Sequence, residues 1–194
     1  MRLNNTMSYN ILSRSFRLIL FICLVIAGLS NTAKAQRVAL TTDGVEWLTG
    51  TANIGLETRL SRRLTLGVSV AGNPFRSMIV KDLRLANFRV QPQLRYWCNR
   101  PMAKHYVGVG LMGGMYDLIL KKNRYKGDVF GAIASYGYAL VLGKHWNVEF
   151  SGGIGLGMIH GYSYKTGDER PPFPNHKKVI PLPDLGVTFT YILK

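Results

Sequence analysis

Gln91-Pro92-Gln93-Leu94-Arg95-Tyr96-Trp97-Cys98 alternates residue by residue. Val90, Leu94 and Tyr96, with Phe88 ahead of them, fall on one face. Arg89, Gln91, Gln93, Arg95 and Trp97 fall on the other. A period of two over this length predicts a β-strand. One face is apolar and aromatic; the other is polar and carries a charge at its centre. A soluble sandwich turns the polar face to water and the apolar face to a core. A membrane barrel turns the apolar face to lipid and the polar face to its lumen. The neighbouring segments decide between the two.

The same alternation recurs on both sides. It predicts strands over 37–42, 52–60, 64–71, 105–120, 128–142, 146–164 and 185–193, making eight with the central one. Leu, Val, Phe and Tyr repeat on one face, and Gly, Ser, Thr, Asn and Glu on the other. Glycine normally weakens a strand, so glycine confined to one face implies a crowded interior. A barrel of about eight strands has such an interior. The connections after the second, fourth and sixth strands read as short. Those after the first, third and seventh read as long, including a basic stretch from Gly72 to about Leu85 and a Pro-rich one from Lys165 to Pro181. Short periplasmic turns and long outer loops are the pattern of an outer-membrane barrel. The polar face is too rich in Gly and too poor in Lys to serve as the water-facing side of a soluble carrier.

The amino-terminal end fits export. Arg2, Arg14 and Arg17 precede an apolar run from Leu18 to Leu29, and Ala33-Lys34-Ala35 is an A-x-A cleavage pattern. The run is too short for the roughly 20 residues of a spanning helix. The expectation is a cleaved signal peptide over 1–35 and a barrel domain over 36–194. Cys98 is then the one cysteine left, which excludes an intramolecular disulfide scaffold. The whole chain carries a net charge of +15, and removing the basic residues of the signal leaves about +11. Such a charge favours anionic partners. For an exported chain these are outer-membrane lipids including lipopolysaccharide, with other envelope proteins met through the outer loops, and not nucleic acid.

With the apolar faces outward, Glu57, Arg95 and Glu149 point inward. Ionised groups in a narrow lumen must be paired. The expectation is a Glu57–Arg95–Glu149 network supported by Gln91 and Gln93. Two carboxylates at a set spacing can also hydrolyse a glycoside, but an arginine between them favours a structural role. His105, His145, His160 and His176 lack metal-ligand spacing, no nucleophile-elbow serine is present, and the glycines of 108–114 precede no helix. No catalytic, metal or cofactor site is therefore expected.

Asn53-Ile54-Gly55-Leu56-Glu57, Gln91 to Trp97, Tyr125-Lys126-Gly127, Ser135-Tyr136-Gly137-Tyr138 and Trp146-Asn147-Val148-Glu149 carry a resemblance. These strings resemble an uncharacterised, domain-of-unknown-function family of small Gram-negative outer-membrane barrels. That family is similar in shape to the transmembrane domain of outer-membrane protein A. The resemblance covers the mature chain and implies fold and location, with no established activity. Its members often carry Glu where this chain has Gln93. Together the residues and the resemblance lead to a non-enzymatic outer-membrane barrel with a plugged lumen and a structural or surface-interaction role. The alternative is an exported lipocalin-like barrel around a small apolar ligand, which needs large apolar residues inside.

Overall fold

The computed structural model describes residues 37–80 and 83–193. The expected signal peptide, residues 1–35, lies outside them. The described chain is all-β apart from one short helix. Its strands are β1 (Val38–Asp43), β2 (Ala52–Arg59), β3 (Leu64–Val80), β4 (Leu83–Trp97), β5 (Lys104–Leu120), β6 (Asn123–Val141), β7 (Trp146–Lys165) and β8 (His176–Ile192), with helix α1 (Gly44–Leu48) after β1. Each strand pairs antiparallel with its sequence neighbours, and β1 pairs with β8, so one sheet closes on itself. Closure leaves no free edge over the closed part.

The alternation sorts the side chains. Outward-facing Ile54, Leu56, Val109, Phe130, Ile154, Leu156 and Leu185 are all more than half exposed. Inward-facing Glu57, Thr65, Asn147, Glu149 and Thr190 are fully or almost fully buried. This inverts a water-soluble fold, in which apolar groups are inside.

The wall is uneven in height. β1 and β2 have 6 and 8 residues, whereas β3 to β8 have 15 to 20. Above Asn73, β3 pairs only with β4; from His176 to Val187, β8 pairs only with β7. The ring is therefore complete in its lower part, the end that holds both ends of the described chain. Above it stands a six-stranded wall with a notch between β3 and β8. Helix α1 lies beside the notch, against β8 and β2. Its N-cap is Asp43, whose side chain accepts from the Glu46 amide at 3.0 Å.

The expected contrast of loop lengths is corrected here. The basic stretch after Gly72 is largely strand, since β3 runs to Val80 and β4 starts at Leu83. The stretch 121–127 reduces to a two-residue turn at 121–122, with Lys121 at φ 56°. β8 begins at His176 rather than Leu185, so the last loop is 166–175. Two of the four upper connections are thus no longer than the lower turns at 60–63, 98–103 and 142–145. Polarity misled the sequence-based expectation. Above the apolar belt a strand can carry charges on either face, because its backbone hydrogen bonds hold it in the sheet. Pro181 and Pro183 fall where β8 has one neighbour only, where a missing N–H is tolerated. Pro92 costs more: β4 pairs with β5 through Val90↔Gly113 and Gln93↔Gly110 in one register, with no pairs between.

Candidate functional site

The lumen is built in layers. Its floor is apolar: Ala39, Trp97, Met102, Tyr106 and Ala139 form one buried cluster, with Ile192 packed against it. The Trp97 indole donates to Thr65 Oγ1 at 2.8 Å, and its ring lies 4.7 Å from that of Tyr106. An inward Trp97 follows from the parity of the central motif. Met102 comes from the turn 98–103, which folds up into the opening. It adopts φ 61°, a left-handed conformation costly for a side chain with a Cβ. Asn147 Nδ2 fixes it by donating to the Met102 carbonyl at 2.6 Å. Gly137 makes room for the floor, since a Cβ there would collide with the Tyr106 ring.

The charged layer lies directly above. Arg95 Nη1 donates to Glu57 Oε2 at 2.8 Å and to Glu149 Oε2 at 2.9 Å. Arg95 Nε donates to Gln93 Oε1 at 2.8 Å, and Gln93 Nε2 donates to Ser135 Oγ at 2.7 Å. Thr190 Oγ1 donates to Glu149 Oε1 at 2.9 Å. The Arg95 guanidinium also stands 4.8 Å from the Tyr106 ring centre, a cation–π contact with the floor. Gly108 leaves space for the Gln93 amide and the Ser135 hydroxyl, each 2.8 Å from where its Cβ would stand.

Four of the five expected lumen residues are joined: Glu57, Arg95, Glu149 and Gln93. A single nitrogen, Nη1, bridges both carboxylates. One detail differs from expectation. Gln91 does not support the network; it sits one step higher, is buried, and its Oε1 accepts no hydrogen bond. Gln91 lies four residues from Arg95, about 13 Å along the strand and beyond its reach.

The upper layer was not anticipated. Arg89 donates to the Glu46 carboxylate of α1. Thr188 Oγ1 donates to Asp43 Oδ2 at 3.1 Å. Asp43, Glu46, Arg89, Gln91 and Asp184 line a polar cavity of about 80 Å³. Arg89 and Gln91 were legible as inward by parity. Asp43 lay in a stretch expected to be a loop, Asp184 between the expected last loop and last strand, and Glu46 on a helix that no periodicity marked.

Outside, the apolar residues form a belt. On β6 it runs from Leu140 through Tyr138, Tyr136, Ala134 and Ala132 to Phe130, above which come Asp128 and Lys126. That distance is roughly 33 Å along the strand, or about 25 Å along the axis at a tilt near 40°. Aromatic groups gather at its lower rim, where Trp146 and Tyr191 lie 4.9 Å apart and His105 and Tyr138 4.8 Å apart. Below them, Arg63 in the lower turn donates to the Tyr96 hydroxyl at 3.1 Å, a bond that raises its pKa above the ordinary value. An apolar depression of about 770 Å³ on this outer surface, lined by Pro92, Leu94, Val109, Ala132, Ile154 and Leu156, is part of the belt. Among the described residues no three His, Cys, Asp or Glu side chains are placed to hold a metal ion.

A family model described as "Protein of unknown function (DUF3575)" matches residues 19–193. The chain belongs to the DUF3575 family. No curated protein and no solved structure matches it. For this member of DUF3575, membership fixes a family without assigning an activity, so function rests on the geometry above.

Proposed function

We propose that this protein is an up-and-down transmembrane β-barrel of the outer membrane of a Gram-negative cell, non-enzymatic, with a structural or surface-interaction role. The observation that carries the proposal is the belt: a continuous apolar outer surface about 25 Å tall around a buried, charged interior. Exposed apolar area on that scale needs an apolar partner, since soluble monomers rarely show contiguous patches beyond a few hundred Å². Outer-membrane lipids, lipopolysaccharide included, are that partner, and the upper hairpins are the surface offered to other envelope proteins. A lipocalin-like carrier needs the reverse arrangement, with an apolar cavity inside; this lumen holds a salt-bridge layer on a sealed floor.

Membrane fractionation followed by electrophoresis of boiled and unboiled samples tests the proposal. The expected result is recovery in the outer-membrane fraction with a heat-dependent shift in mobility. Recovery as a soluble periplasmic protein overturns it. The sealed floor also predicts no steady conductance in planar bilayers, and a stable ohmic channel from pure protein refutes the plugged lumen. Trypsin added to whole cells is expected to cut after the exposed Lys165, at the start of the 166–175 loop. Cleavage only after the outer membrane is opened would invert the orientation.

A further inference from the structure

We propose that the upper half of the lumen is a binding cup for a small organic cation carrying a primary ammonium group. The cup has a floor, because Trp97, Met102 and Tyr106 seal the lower end. It has an open side, because β1 and β2 stop while β3 to β8 continue. Between the floor and Asp184, the lumen carries the carboxylates of Asp43, Glu46, Glu57, Glu149 and Asp184 against the guanidiniums of Arg89 and Arg95. That is a formal charge of −3 inside a chain of net charge +15. Lys178 shares the inward parity of β8 but lies higher and exposed.

The hydrogen-bond inventory points the same way. Arg95 is committed to Glu57 and Glu149, and Arg89 to Glu46. Arg89 also attracts Asp43 and Asp184 electrostatically. Asp43 accepts from uncharged donors, the Thr188 hydroxyl and backbone N–H groups that include that of Glu46. Asp184 accepts no hydrogen bond among the described residues. Gln91, more than nine-tenths buried, lines the cavity with an Oε1 that has no partner. The cavity-lining groups without a donor, Asp184 and Gln91 Oε1, are thus acceptors, and a buried acceptor without a donor is costly. The matching ligand brings several N–H donors and a positive charge, which a primary ammonium does. A bare metal ion is a poorer match, because the described carboxylates are not grouped for one coordination sphere. The cavity, about 80 Å³, compares with the 10–15 Å³ that holds one water, so a molecule of a few heavy atoms fits.

The test is an NMR titration of the protein, purified from producing cells in detergent micelles, with ethylammonium chloride. Sodium chloride at equal ionic strength and tetramethylammonium chloride, a cation without N–H donors, are the controls. The expected result is a saturable shift of the Gln91 side-chain amide and of the Asp43 and Asp184 backbone amides, seen with neither control. Asp184→Asn and Gln91→Leu are each expected to weaken binding roughly tenfold, and Gln91→Glu to tighten it. Every variant is first checked for heat-modifiable mobility, and the Gln91 pair decides the matter if Asp184→Asn does not fold. Shifts that do not saturate, that tetramethylammonium reproduces, or that are indifferent to the variants overturn the site and leave only ionic strength or water in the cavity.

Discussion

The lower and upper halves of the lumen use the same residue types to different ends. Below, the ring is complete and every strand has two neighbours. Glu57, Arg95 and Glu149 meet there under near-total burial, over a floor of Trp97, Tyr106 and Met102. Above, β1 and β2 have ended, and the Arg89–Glu46 pair is partly exposed, at 30% and 19% of the two side chains. A buried charge stripped of its partner is expensive, whereas an exposed pair is screened and contributes little. The lower half should therefore set stability, and the upper half should be free to vary or to bind.

The largest expected effect tests the lower half. Arg95→Ala leaves two carboxylates without their counter-charge and should cost on the order of 3–5 kcal/mol, read as a fall in the urea midpoint of the folded barrel in detergent. Adding Glu57→Gln and Glu149→Gln should restore much of that loss. Equal midpoints for wild type and Arg95→Ala would refute the buried network. Arg95→Lys should recover part of the stability, because one ammonium can replace the bridging Nη1 but not the Nε bond to Gln93.

The floor comes next. Gly137→Ala puts a Cβ into the buried Tyr106 ring, and overpacking of this kind costs about 1–3 kcal/mol. If Gly137→Ala unfolds at the wild-type urea midpoint, Tyr106 is not fixed where the floor requires it. Asn147→Ala removes the bond to the Met102 carbonyl, with an expected loss of about 1–3 kcal/mol. In planar bilayers the same variant should show brief openings that the wild type lacks, since Met102 is released. A variant as silent as the wild type would mean that Trp97 and Tyr106 seal the lumen by themselves.

The smallest effect sharpens the contrast. Arg89→Ala is expected to lower stability by no more than about 1 kcal/mol. A loss as large as that of Arg95→Ala would erase the distinction between the halves, and would mean that Asp43, Glu46 and Asp184 form a second structural network rather than the lining of a cup.

Several elements were legible from single stretches. The alternation of 88–97 placed Arg95 and Trp97 on one face and Leu94 and Tyr96 on the other, and the same parity put Glu57 and Glu149 beside Arg95. Strand ends were less legible. Polar stretches such as 123–127 and 176–181 look like loops, yet they are paired strand, because hydrogen bonding to a neighbour does not register in composition. Asp43 and Asp184 were missed for that reason, and Glu46 because a five-residue helix is too short to show a period.

The sequence alone determined which side of each strand is apolar, because a pleated backbone sends successive side chains to opposite faces whatever its neighbours do. It therefore determined that the chain has an apolar outside and a polar inside. Only the tertiary structure decided which inward residues share a level, since that depends on the register between strands distant in sequence and on the closure of β1 against β8. Register brought Arg95 Nη1 between two carboxylates 38 and 54 residues away, left Gln91 above them without a partner, and carried Met102 from a turn into the floor. Strand pairing is a contact between segments, and no local pattern encodes it.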